Sequence, residues 1–446
     1  MARHYKEHYR KAPGKESGSG QRMGIGRSPG ASVLSVAERL VQRGAAVAVT
    51  FLLAVIASPE LVGVYATALM VLSAYQAISE TTIRQIGVSL WNYRGAARFL
   101  EKSSAISGII GMLAVSIVAI LLAMSLQSWT TLFKLAPLTA VPLVTSTYLS
   151  ALSRAQRAQG GWPVIAKSQL IASIASLALA IPFMFVIDFG AASMQMLISE
   201  VIFAFLITRF NERPTRSKVR VNFFRAFYLP TALSNTFGWA QSQLERLILV
   251  LISTAPQVGS YSLSIAIARS GSDAIISALI SVLRARLSSN TEVEVKNKYL
   301  RVGLYRGIAA ALVLQTLVCF ATILVLPPIL GPEWKPAIQA TIVFSASTVF
   351  AAVVWSLSAY LIDAAAANKL LPAQTIGIVL SCGCGYLLSV SLVLGAAACV
   401  ARDAVAVGMR MWLARAALGW RDVLLIWILG CISVAISVTT LLWSTS

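Results

Sequence analysis

Between Lys102 and Lys134 the chain carries no charged side chain, and the same holds from Lys167 to Asp188 and from Asp422 to the end at Ser446. Runs of this length constrain a fold more than any motif does. About 20 apolar residues in helical form cross the ~30 Å hydrocarbon core of a bilayer. The whole composition agrees: 57% of the residues are hydrophobic and 12% charged, whereas water-soluble domains carry about 25% charge. Strands of a membrane β-barrel would appear as alternating segments of about ten residues, a pattern absent here. The sequence therefore predicts an all-α polytopic membrane protein.

Thirteen spans are predicted, at 33–57, 61–80, 103–125, 135–153, 165–187, 191–208, 226–252, 258–283, 304–325, 336–362, 370–389, 391–414 and 423–443. Before them, residues 1–30 are rich in Gly, Ser, Lys and Arg, hold both histidines, and read as a disordered basic cytosolic tail. A secretory signal fits poorly, because the next apolar segment contains Glu38, Arg39 and Arg43. With the tail inside, the inner loops collect Arg84, Arg94, Arg98, Lys102, Arg154, Arg157 and the 209–225 cluster. They also collect Arg284, Arg286, Lys296, Lys298, Arg301, Arg415 and Arg421. The outer loops hold only Lys134 and Lys335. This asymmetry is the positive-inside rule. It accounts for most of the net charge of +20 without nucleic acid as a partner. It also predicts a cytosolic amino terminus and, after an odd number of spans, a carboxyl terminus on the opposite, periplasmic side.

Several function classes drop out. The outer loops are short, leaving no platform for catalytic groups, and no P-loop, HExxH or GxSxG pattern occurs. The chain is expected not to be an enzyme and to need no cofactor or metal. All five cysteines lie in apolar runs, where Cys382 and Cys384 read as small packing residues.

The chain repeats itself. Val62-Gly63-Val64-Tyr65 joins spans one and two, and Val258-Gly259-Ser260-Tyr261 joins spans seven and eight. Ser146-Thr147-Tyr148-Leu149 in span four is matched by Ser358-Ala359-Tyr360-Leu361 in span ten. Gly190-Ala191-Ala192 at span six is matched by Gly395-Ala396-Ala397 at span twelve. Each pair links span n to span n+6, which predicts two pseudo-symmetric six-helix lobes in parallel repeat around a central cavity. The domain reading is then an N-lobe at 31–210, a basic cytosolic linker at 211–225, a C-lobe at 226–415 and an additional, peripheral helix at 416–446.

Charges within the spans are expensive and mark function or pairing. Helical rise places Glu245, Arg246, Arg269, Glu200, Arg402 and Asp403 near mid-membrane. Spans seven and eight form a hairpin, so Glu245 and Arg269 are expected within reach of each other. Arg269 and Asp273 share a helix face. Neighbours on a helix point about 100° apart, so Glu245-Arg246 and Arg402-Asp403 are expected not to satisfy each other. Arg39 and Arg43 lie near the inner mouth, facing either the cavity or the headgroups. Arg39, Arg43, Arg246, Arg269 and Arg402 are the candidate substrate-binding residues. Glu245, Asp273, Glu200 and Asp403 are the candidates for ion coupling or gating.

Together, the basic start of span one, the PELVGVY segment, Arg84, the Glu245-Arg246 pair in QLERLILVLI, APQVGSYSLS and the Gly-Ala-Ala start of span twelve resemble one family. It is the Wzx-type polysaccharide and O-antigen flippases of the multidrug/oligosaccharidyl-lipid/polysaccharide exporter superfamily. The family often has Asp where this chain has Glu245, and often twelve or fourteen spans. The resemblance implies alternating-access translocation of an undecaprenyl-diphosphate-linked oligosaccharide for exopolysaccharide or O-antigen assembly. It implies a monomer in contact with membrane lipid and with polysaccharide polymerase and chain-length machinery. The rivals are a cation-coupled drug exporter of the same superfamily and a non-transporting scaffold for polysaccharide enzymes. The twelve-span major facilitator fold competes on span count, but its Gly- and Arg-rich loop after span two is missing.

Overall fold

The computed structural model describes residues 29–90, 95–157, 161–208, 223–288, 292–363 and 370–445, and these form helices with no strand. The basic tail up to residue 28 and the linker from 211 to 222 lie outside the described residues. The helices are α1 Pro29–Ile56, α2 Pro59–Tyr75, α3 Thr81–Leu90, α4 Ala96–Ser125, α5 Trp129–Arg157, α6 Gly161–Ile187 and α7 Phe189–Ile207. They continue with α8 Leu229–Ile252, α9 Ala255–Ser288, α10 Val293–Leu324, α11 Lys335–Ser345, α12 Ser347–Asp363, α13 Leu370–Val390, α14 Leu392–Leu413 and α15 Trp420–Thr445. A π-helical turn, Gln76–Glu80, joins α2 to α3, so the two run as one rod. Lipid offers no hydrogen bonds to a backbone, so each crossing segment must satisfy its own, and helix is the local solution.

Every predicted span falls on helix, the tenth on the two helices α11 and α12. The rods α4 and α10 begin ahead of their predicted spans, at Ala96 and Val293. These added turns carry Arg98, Lys102, Lys296, Lys298 and Arg301, basic residues expected from the sequence to lie in loops. Among the described residues nine helices are long and apolar enough to cross a membrane, or ten with the pair Pro332–Ser345 and Ser347–Ile362, which bends by 41°. The three rods outside that group are α1, α8 and α9. Their sequences hold Arg39 and Arg43, Glu245 and Arg246, and Arg269 and Asp273, respectively.

In the first half of the chain, α4 packs on α5, and α5 and α6 pack on α7. In the second half, α13 packs on α8 and α14, and α12 packs on α10 and α14. The halves meet where α9 crosses α2 and α1. The repeated VGxY segments, expected as loops, are instead the first turns of α2 and α9, and they pack on each other. A Cβ on Gly63 would lie 1.9 Å from the Ala255 carbonyl oxygen, and one on Gly259 would lie 1.9 Å from that of Pro59. Only glycine permits backbones this close, the small-xxx-small mode of membrane helix packing. Tyr65 then places its hydroxyl 3.4 Å from the carbonyl of Ala192, in another of the repeated motifs.

The last helix, α15, packs on the outside of α10 and α11 but is bolted there. Gln315 donates to the Ser433 carbonyl at 2.7 Å and to Ser437 Oγ at 3.0 Å, and accepts from Ser433 Oγ at 2.6 Å. In its first turn Asp422 accepts from Arg301 at 3.1 Å and from the Tyr305 hydroxyl.

Candidate functional site

A cavity of about 640 Å³ opens between α8, α9, α12 and α14, with Tyr65 and Ala66 of α2 and Thr50 of α1 on the opposite wall. Its position follows from where polar residues were tolerated. Gln241, Ser242, Glu245 and Arg246 come from α8, and Arg269 and Asp273 from α9. Arg402, Asp403 and Arg410 come from α14, and all of them line it.

Arg402 is the hub. Its Nη1 lies 2.5 Å from Glu245 Oε2 and 2.9 Å from Ser381 Oγ. Its Nε and Nη2 lie 3.0 and 2.9 Å from Asp403 Oδ1. Asp403 passes the chain on: its Oδ2 accepts from Arg269 Nη2 at 2.7 Å, while Arg269 Nε donates to Ser347 Oγ at 3.0 Å. Tyr261, the tyrosine of the second VGxY, sets its hydroxyl 3.5 Å from Glu245 Oε1. The network ties α8, α9, α12, α13 and α14 together. Two expectations change here. Glu245 pairs with Arg402 and not with Arg269, because α14 supplies both a cation and a carboxylate at the level where α8 and α9 would otherwise meet. Arg402 and Asp403 do bond each other, because the arginine stem is long enough to curl back over the ~100° that separates neighbours on a helix. Glu245 and Arg246 behave as expected and point apart.

Asp273 lines the same cavity and adds its charge near Arg269. Glu200 does not line it. Glu200 accepts the Tyr148 hydroxyl within the first half of the chain, near the Glu80–Arg84 pair, which spans 3.2 Å. The side chains of Glu38, Arg39 and Arg43 lie outside the described residues.

Two cavity arginines have no carboxylate partner among the described residues. Arg246 donates Nη2 to the Ala66 carbonyl across the cavity at 2.8 Å, and its buried Nε has no partner. Arg410 donates Nε to Ser358 Oγ at 2.9 Å and Nη1 to the Ala406 carbonyl at 3.2 Å. Sequence reasoning missed Arg410. The available signal was the spacing Arg402, Ala406, Arg410, which sits on adjacent turns of one helix. The cavity wall is thus a neutralised platform of Arg269, Arg402, Glu245 and Asp403 flanked by two guanidinium groups held only by neutral oxygens.

Residues 52–339 match the family described as "Polysaccharide biosynthesis protein". The chain belongs to that family. A comparison by sequence with curated proteins finds no match. Among solved structures, the lipid II flippase MurJ in an inward closed conformation aligns with a TM-score of 0.65 at 13% identity, covering 94% of this chain and 98% of MurJ. An inward-facing multidrug resistance MATE family transporter of the MOP superfamily aligns at 0.54 and 13% identity, covering 87% of this chain and 95% of its own. A mutant form of the MATE transporter VcmN of Vibrio cholerae aligns at 0.53 and 14% identity, covering 87% and 96%. At these identities the likeness establishes the fold: this polysaccharide biosynthesis protein is a multi-pass membrane protein built like MurJ and the MATE transporters. The family resemblance read from PELVGVY, APQVGSY and Glu245-Arg246 therefore holds.

Proposed function

We propose that this protein flips a polyprenyl-diphosphate-linked oligosaccharide across the bacterial inner membrane by alternating access of its two halves. The amino terminus is cytosolic and the carboxyl terminus periplasmic. The observation that carries the reading is the pair Arg246 and Arg410, two cavity-lining guanidinium groups without carboxylate partners among the described residues. A charge held within a membrane span costs about 3 kcal/mol on insertion scales. A diphosphate gives that cost a use. Guanidinium planes bond phosphate oxygens in pairs, through charge-assisted hydrogen bonds stronger than those to neutral oxygens. The anion takes Arg246 from the Ala66 carbonyl and Arg410 from Ser358. The Arg402 network holds the surrounding helices fixed, while the apolar tail stays in lipid outside the cavity.

An exporter of cationic drugs fits less well. Of the three cavity carboxylates, Glu245 and Asp403 are each bonded to arginine, and Asp273 has its charge offset by nearby Arg269. A non-transporting scaffold would not depend on the charge of the cavity.

The test is surface polysaccharide in a flippase-null strain, normalised to membrane protein level. Arg246→Ala and Arg410→Ala are each expected to lower export at least about tenfold, the equivalent of ~1.4 kcal/mol. Arg246→Lys keeps the charge but loses the fork, and falls between. Arg415→Ala, which removes an exposed guanidinium stacked on Trp412, serves as the control. Full export by both cavity variants would overturn the reading.

A further inference from the structure

Of the two lysines on the outer loops, Lys134 is neutralised: its ammonium lies 2.7 Å from Asp188. Lys335, at the start of α11, has no carboxylate partner among the described residues and is exposed. Glu333, two residues earlier, faces a different depression, shared with Pro59, Glu60 and Pro256. A cation on this face runs against the charge asymmetry of the chain, so its surroundings bear on its use.

Lys335 stands at the rim of a depression of about 500 Å³, lined by Ile323, Leu330, Ile338, Gln339 and Trp443. A second depression of about 320 Å³ shares Ile323 and Trp443 and continues between α10 and α15 past Phe320, Ile436 and Thr440. Together they form one groove on the lipid-facing side of the bundle, where Phe320 and Leu324 are among the exposed side chains. From Ser444 back to Ile436 the groove follows α15 for about 12 Å at 1.5 Å per residue, most of the ~15 Å depth of one leaflet. Its polar end carries Lys335 and the Gln339 amide, which makes no hydrogen bond among the described residues. Trp443 lies beside them, at the level where indoles favour the membrane interface. The order is cation and amide outermost, indole next, apolar channel inward, which is the order of groups in a phospholipid with a negative headgroup.

We infer that the groove between α10, α11 and α15 is a binding site for one anionic phospholipid of the outer leaflet. Its phosphate sits on Lys335 and Gln339, and an acyl chain lies between Phe320 and Ile436. The site is separate from the cavity that holds Arg246 and does not depend on what that cavity carries. It gives α15 a second attachment: Gln315 and Asp422 bolt the helix from within, and the lipid seals it from outside.

The experiment is thermal unfolding of the purified full-length protein in detergent with added phosphatidylglycerol or phosphatidylcholine. At roughly 100 times its Kd, a bound lipid raises the Tm of a chain this size by about 3 °C. Phosphatidylglycerol is expected to do so and phosphatidylcholine to do much less. Lys335→Gln removes the difference between the two lipids, and Lys335→Arg restores it. Thr439→Trp, which fills the channel, abolishes the response to both. Native mass spectrometry should show one fewer retained phosphatidylglycerol in Lys335→Gln than in wild type. A phosphatidylglycerol response that survives Lys335→Gln, or an equal response to both lipids in the wild type, overturns the assignment. Displacement of the retained lipid by a polyprenyl phosphate, with no preference for phosphatidylglycerol, would instead assign the groove to the tail of the cargo and also overturn it.

Discussion

Gly63 and Gly259 face each other where α2 crosses α9, and the missing Cβ of each is the space taken by a carbonyl of the other helix: Ala255 for Gly63 and Pro59 for Gly259. The contact is reciprocal, as expected if two copies of one segment meet about a pseudo-axis. It lies at the end of the bundle that carries the Ser58 and Thr254 turns. Under the alternating access proposed above, this contact parts and re-forms in each cycle.

A methyl group at either glycine keeps the helices apart. Gly63→Ala and Gly259→Ala are each expected to cost about 1–3 kcal/mol of overpacking and to lower export at normal protein level. Ser260, 5% exposed beside the contact, supplies the readout. With Ser260→Cys in a background lacking other reactive thiols, labelling by a membrane-impermeant reagent should rise when Gly63→Ala is added. Unchanged labelling would mean that this crossing does not seal the outer end.

The Arg402–Glu245 pair is buried, with side-chain exposures of 9% and 3%. Removing one partner strands the other, so Glu245→Ala should destabilise by about 3 kcal/mol, the low end for buried pairs, because Arg402 keeps Asp403. Replacing both, Glu245→Leu with Arg402→Met, should recover most of the loss. Thermal unfolding of the four proteins gives the coupling energy, expected within about 0.5–3 kcal/mol. Strict additivity would show that the pair is not a unit.

Asp422 lies in the first turn of α15, where its carboxylate meets Arg301, Tyr305 and the Gly419 amide, the last at 2.8 Å. Asp422→Ala removes three bonds and a favourable charge at a helix start. Arg301 is about half exposed, so solvent offsets part of the loss and about 1–3 kcal/mol is expected. Proteolysis should then cut near Ala417 before the rest of the chain. If Asp422→Ala resists cleavage as wild type does, α15 is held by Gln315 alone.

The orientation has its own test. Reporter fusions after the last residue are expected to be active on the periplasmic side, since the inner-end helix extensions carry Arg98, Lys102, Lys296 and Lys298. A cytosolic carboxyl terminus would reverse or break the thirteen-span reading, and with it the leaflet assigned to Lys335.

The sequence alone determined the solvent, the positions of the rods and the family. Long charge-free runs can only be membrane helices, because lipid forces every backbone group to bond within its own segment. Charge asymmetry and a repeated VGxY are linear patterns that survive without coordinates. The sequence also flagged Glu245, Arg246, Arg269, Arg402 and Asp403, since a charge within a span stands out wherever it points. Tertiary structure alone decided who meets whom. Helix rotation and crossing place Arg402 between Glu245 and Asp403, send Arg269 to Asp403, leave Arg246 on the Ala66 carbonyl, and put Glu200 with Tyr148 away from the cavity. A rotation of one helix by 100°, a single residue step, would exchange these partners while leaving every apolar run unchanged. Arg410, two helical turns beyond Arg402 and close to the end of the predicted span 391–414, became a candidate only once α14 was seen to turn it toward the cavity.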